Sequence, residues 1–351
     1  MATIQTIDSK RSESGYRPSI ASRAAAALLV SIATFSAADA RAQVDDTQSV
    51  TQHLARERFT LIAPFPPGGP VDLLARMLAD GLHRRYGQPA VVENLPGGAG
   101  NPGMDRVRRA KPSGHTLLVI PAGNLTINPT LMSNFPFRIE RDFSAISMLA
   151  KARKVLIAHP SRDTTDFASL IAAIRADPRR FSYASPRVGS GLHLAGELFR
   201  QRLGLDIQHV PYKGTTPALN DVVAGVVPLM FSNLPAVLPH LRSGRIVAIA
   251  VTDNARSPLA KDIPTLAELG VEGVVVSSWY GLMAPAGTPD NVISRLAEDA
   301  SAILGAEAVT RQLAAQAMTA SPMSPEAFAA HIRNETLTWR QVIVSQSIRA
   351  E

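Results

Sequence analysis

From Phe59 onward, short apolar runs alternate with segments whose apolar residues recur at helical spacing. The runs 59–65, 90–95, 116–121, 155–159, 181–185, 207–211, 228–232 and 246–251 predict buried strands. Between them, 72–86, 166–176, 193–203 and 217–224 predict amphipathic helices. This alternation predicts α/β units with mainly parallel sheets. The tail is different. Val292, Leu296, Ala300, Ile303 and Leu304 follow helical spacing within 289–318. Ser324-Pro325-Glu326 then opens a last helix, with serine as N-cap and proline at the first helical position, running to about Val344.

Two stretches break the rhythm. Residues 141–159 read as extended with no crossover helix, and 253–289 are rich in proline and glycine. Together they bracket one α/β block, which predicts an inserted lobe (151–253) within an outer lobe (43–150 with 254–351). Crossover segments between two lobes act as a hinge, and the cleft between lobes is a natural ligand site.

Two glycine-proline loops, FPPGGPVD and LPGGAGNPG, each follow a strand and open a helix. Such junctions aim backbone N–H groups and a helix N-terminus at one spot, which suits an anion. The first loop, Pro66, Pro67, Gly68 and Gly69, lacks the lysine of a phosphate-binding loop. Its N–H groups at Gly68 and Gly69 are expected to face the cleft, with Asp72 capping the helix behind it. In the second, Gly98, Gly100 and Gly103 match the dinucleotide fingerprint, but no acidic residue follows about 20 positions on. That favours a structural turn, and no cofactor is expected.

Composition narrows the class. The chain has 351 residues, 46% hydrophobic and 19% charged, which is globular and long enough for about two domains. Lys10, Arg11, Arg17 and Arg23 precede an apolar stretch, 24–38, and Ala40-Arg41-Ala42 supplies a cleavage site before Gln43. These predict an export signal over 1–42 and a periplasmic product. The formal charge of +7 falls to +5 without that segment, which holds five basic and three acidic residues. A modest basic excess fits an anionic small ligand. The basic residues are dispersed and only 5% of the chain is aromatic, so nucleic acid is not an expected partner. There is no cysteine, which excludes disulfides and a thiol nucleophile, and the eight histidines show no metal-ligand spacing.

At these residues the chain resembles the Bug family, TctC-like extracytoplasmic solute-binding proteins of tripartite tricarboxylate transporters. The matching stretches run in family order from PFPPGGPVDLLAR and VVENLPGGAGNPG through KPSGHTLLV, INPTL, DFSAISML and FSYASPRVGSGLHLAGELF. They continue with HVPYKGTTPALNDVVAG, MFSNLPAVLPHLRSG, IPTLAELG and SSWYGLMAPAGTP. The resemblance implies a two-lobed type 2 periplasmic-binding fold, a Venus flytrap closing on a small carboxylate. It implies backbone-mediated recognition and, as partners, the permease subunits of the transporter. A monomer is expected. Ser232 stands where many members have aspartate, Pro186 and Arg187 where serine or glycine is frequent, and Pro102 where a small or aliphatic residue is common.

The expected site is therefore two loop–helix junctions facing one carboxylate: Pro66–Asp72 on the outer lobe and Ser185, Gly189, Ser190, Gly191 and His193 on the inserted one. Asn124 and Thr126 after the strand 116–121, and Ser232, complete the set. A β-branched residue at Gly69 or Gly191 is expected to crowd the ligand or force an unfavourable backbone angle. Trp279 and Tyr280 are expected at the hinge or in the core rather than under the ligand. Two other readings stay open: a component that reports ligand occupancy to a membrane kinase, and an exported hydrolase using Ser190 and His193. The hydrolase lacks the GxSxG elbow and an acid to orient His193.

Overall fold

The structure, a computed structural model, describes residues 48–160 and 166–349. The expected export signal lies outside the described residues. Among the described residues no helix is long and apolar enough to cross a membrane.

Strands β1 (Phe59–Ala63), β2 (Ala90–Asn94) and β3 (Thr116–Pro121) pair in parallel in the order β2-β1-β3. β1 is buried at every position and β3 at its four central ones, so both are continuous apolar runs, as sheets covered on both faces require. One face is covered by the helices Pro70–Tyr86 and Asp290–Gly305, through Leu74, Leu78, Leu296 and Leu304. Met104, Leu125 and Phe328 cover the other.

β4 (Phe143–Ala158) is a single strand of 16 residues. Its first part, to Arg153, pairs antiparallel with β9 (Ser277–Pro285), which in turn pairs with β3. Its last part pairs antiparallel with β7 (Leu229–Asn233) and β8 (Val247–Val251). β5 (Ser182–Ser185) lies parallel to both β7 and β6 (Gln208–Pro211). Each half of the molecule is thus a parallel triplet, and β4 joins the two through antiparallel pairs. The extended reading of 141–159 corresponds to β4. Within 253–289, however, lies a central strand, β9, with Trp279 fully buried at its start.

The second core gathers Leu156, Tyr183, Phe199 and Phe231. The last helix, Pro325–Ser345, begins as expected: the Ser324 hydroxyl accepts from Ala327 N–H, and Pro325 takes the first position. Its early residues Phe328 and Ile332 belong to the first core. Its later residues Trp339, Val342 and Ile343 belong to the second.

Candidate ligand-binding site

The loops after β1, β2 and β3 emerge at one edge of the first sheet, the carboxyl ends of its parallel strands, where α/β sheets take their ligands. Pro66, Pro67 and Gly68 are exposed. The helix behind them is capped by Gly69 with no side-chain cap, so Asp72 does not cap it as expected. Asp72 is instead a buried buckle. It accepts from Gly68 N–H (2.9 Å), Arg76 Nε (2.9 Å) and Asn94 Nδ2 (3.0 Å). The Arg76 guanidinium foremost, then the two amides, hold its carboxyl below the usual range against the opposing effect of burial. The Gly68 N–H expected for ligand is therefore engaged within the protein.

Asn124 and Thr126 are also occupied. Asn124 Nδ2 donates to the Ala99 carbonyl (2.6 Å), and Thr126 Oγ1 donates to the Ala122 carbonyl (3.0 Å). Asn124 thereby braces the glycine loop 97–100, where Gly98 and Gly100 take left-handed φ of 52° and 88°. A Cβ on Gly103 would come within 2.6 Å of Pro64 Cβ. Those fingerprint glycines answer to a tight turn and close packing.

In the second half, Ser185 ends β5, where its hydroxyl donates to the Arg187 carbonyl (3.0 Å) and lies 2.7 Å from His209 Nε2. Ser190 caps the helix Gly191–Leu203 by accepting from His193 N–H (3.1 Å). His193 Nδ1 receives the Gly189 N–H (3.0 Å), and its ring stacks on His209 at 3.8 Å. Burial lowers both imidazoles, His209 to about 4, so neither carries charge at neutral pH. Against expectation an acid does stand near this ring, Glu197 Oε1 lying 3.8 Å from His193 Nε2, but Nδ1 is turned to Gly189 rather than to the Ser190 hydroxyl, which is not the pairing a serine nucleophile needs. Ser232 is wholly buried in β7 opposite Val155, and its Oγ has no hydrogen-bond partner among the described residues.

Where the two halves meet lies a cavity of about 140 Å³. Pro121, Gly123 and Ile127 wall it from the end of β3, and Gly191 from the helix N-terminus opposite. β4 contributes Lys154, β9 contributes Trp279 and Tyr280, and the last helix contributes Glu335 and Trp339. Of the expected residues, only Gly191 lines this cavity. Ser185 and Gly189 precede that helix, Ser190 caps it and His193 lies in its first turn, but none of these lines the cavity, nor does any residue of the Pro66–Asp72 loop. Gly191 has no left-handed φ, and neither does Gly69 at −85°, so no backbone strain explains either glycine. A Cβ at Gly191 would make ordinary 3.9 Å contacts with Ile127 Cδ1 and Lys154 Nζ, reaching into the cavity. Gly189 differs: its φ is 72°, and a Cβ there would meet Leu131 at 2.3 Å.

Lys154 escapes notice in the sequence because it sits in KARKVLIA, beside two other cations. Those two are committed, Lys151 and Arg153 both pairing with Asp253 at 3.2 and 3.1 Å. Lys154 is only 4% exposed, and no hydrogen bond or ion pair holds its ammonium among the described residues. Burial pushes it down to about 8, against the attraction of Glu335 and Asp253. The Glu335 carboxylate accepts from the indoles of Trp279 and Trp339 and lies 3.4 Å from His331 Nε2. Trp279 thus packs and braces, T-shaped against Phe328, while also forming the cavity wall.

Residues 74–348 match the model of the tripartite tricarboxylate transporter family receptor. The chain is 37% identical to BugT of Bordetella pertussis over 284 residues, which is 81% of this chain and 87% of that protein. A protein of R. palustris solved with adipate is 33% identical, with a TM-score of 0.68 over 84% of this chain and 98% of that one. The MatC protein of Rhodopseudomonas palustris, solved with bound malate, is 28% identical, with a TM-score of 0.64 over 82% and 99% of the two chains. The two-lobed α/β architecture, the ordered motifs and these relatives agree: the chain belongs to the tripartite tricarboxylate transporter receptor family, the Bug or TctC-like solute-binding proteins.

Proposed function

We propose that the protein is a periplasmic binding protein that captures a small organic carboxylate and delivers it to the membrane subunits of a tripartite tricarboxylate transporter, with no catalysis. The observation that carries this reading is the cavity between the two halves, bounded by the end of β3 and by the N-terminus of the 13-residue helix Gly191–Leu203. A helix N-terminus favours a negative charge, by up to about 2 kcal/mol when partly buried. The relatives solved with adipate and malate support a carboxylate as the class of ligand. The lobes 43–150 with 254–351, and 151–253, close on it, bringing the Pro66–Asp72 and Ser185–His193 junctions together. With the Gly68 and Gly189 N–H groups engaged internally, Gly69 and Gly191 supply the remaining donors. The protein is exported by a signal cleaved before Gln43 and acts as a monomer.

The test is a thermal-shift and calorimetric screen of carboxylates and their amides on purified protein. A true ligand at 100 times its Kd adds about 2.7 kcal/mol of stability. The acid should bind and its amide should not. If a neutral amide binds as tightly as its acid, or no carboxylate binds, the reading fails.

A further inference from the structure

Resting on that reading, we propose that Lys154 grips the ligand directly, and that the cavity selects a small acid with a single carboxylate. Two positive sources converge on one point. The Lys154 ammonium sits 3.9 Å from where a Gly191 side chain would begin, so it lies beside the helix N-terminus. Glu335 and Asp253 attract the ammonium from a distance, but no carboxylate among the described residues touches it. The Glu335 carboxylate keeps its charge but is oriented by two indole N–H groups, Asp253 is paired with Lys151 and Arg153, and neither closes an ion pair with Lys154. A buried ammonium with no group in contact is costly, so a site that keeps one is built for a contact that arrives.

The same cavity sets the other end of the ligand. Glu335 lines it, so a second carboxylate would meet a like charge in a poorly solvated space. Ile127, Trp279 and Trp339 leave apolar wall for an aliphatic remainder. At about 140 Å³ the space is well below the roughly 300–1,000 Å³ of sites for drug-sized ligands, so the chain must be short.

The experiment compares butyrate with succinate and hexanoate with adipate by titration calorimetry on the wild type and Lys154→Met. The monocarboxylate of at least one pair should bind about tenfold or more tighter than its dicarboxylate, the direction like-charge juxtaposition imposes. Lys154→Met should weaken that acid at least about thirtyfold while keeping a cooperative thermal transition. Lys154→Arg keeps the charge and should retain part of the affinity. A dicarboxylate that outbinds its monocarboxylate, or a folded Lys154→Met variant within threefold of wild type, overturns the proposal alone. Wild-type binding of other carboxylates but none of these four also overturns it alone. Failure of every carboxylate in the wider screen removes the functional reading and this proposal with it.

Discussion

Replacing Lys154 by methionine should make the ligand-free protein more stable, and the gain should depend on pH. Burial lowers the ammonium from its ordinary 10.5 to about 8, which corresponds to about 3 kcal/mol against the folded state. Below pH 8 the lysine is protonated in both folded and unfolded chains, so the whole penalty is present and stability does not vary with pH on its account. Between pH 8 and 10.5 the unfolded chain keeps its proton while the folded one gives it up. The unfolded state then binds more protons, so wild-type stability rises with pH, by about 2 kcal/mol between pH 8 and 9.5. The groups around the ammonium are Glu335 from the last helix, Asp253 after β8, Tyr280 of β9 and the helix end at Gly191. Tyr280, like Tyr86 and Tyr212, is pushed up to about 12 by burial, so the tyrosines titrate above this window. Urea unfolding of both proteins from pH 6.5 to 9.5 gives the comparison. The variant should be about 3 kcal/mol more stable at pH 7, with the two converging as pH rises. Parallel curves, or a less stable variant at pH 7, would refute the argument that the cavity holds an unpaired buried charge.

Carboxylate affinity itself should fall above pH 8, approaching about tenfold per pH unit, with proton uptake measurable by calorimetry in buffers of different ionisation enthalpy. Gly191→Val should fold normally, because its φ is not left-handed and its contacts are ordinary, yet lose carboxylate binding by filling the cavity; unchanged affinity would argue that the ligand sits elsewhere. Asp72→Ala should cost about 1–3 kcal/mol in denaturant, by stripping Gly68, Arg76 and Asn94 of their shared acceptor, and should speed amide exchange at Gly68. Ser190→Ala should cost about 1 kcal/mol through the lost cap and weaken binding only modestly.

Much of the frame was legible in the chain, because its strands are buried on both faces and so read as unbroken apolar runs. β3 was placed at its observed bounds, and Ser324-Pro325 announced the last helix. β9 was hidden: SSWYGLMAP mixes hydroxyls, glycine and aromatics, and its burial comes from neighbours far along the chain, β3 and β4. The site was legible as loops but not as chemistry. A glycine loop shows that N–H groups are offered, yet not that Asp72 and the His193 ring already take two of them. Nor does sequence distinguish Lys154 from Lys151 three residues earlier. Only the strand's path between two sheets turns one toward Asp253 and the other into the cavity.

The helix Pro325–Ser345, rooted in both cores, makes the two halves a single thermodynamic unit. Neither half can melt without stripping the other of side chains such as Phe328 or Trp339. Calorimetric unfolding should therefore give one transition, with van't Hoff and calorimetric enthalpies equal, where a protein of this size would otherwise be expected to show two. Ligand free energy delivered at the cavity then protects both halves against global unfolding at once. Two resolved transitions in the ligand-free protein would show that the helix does not fuse them.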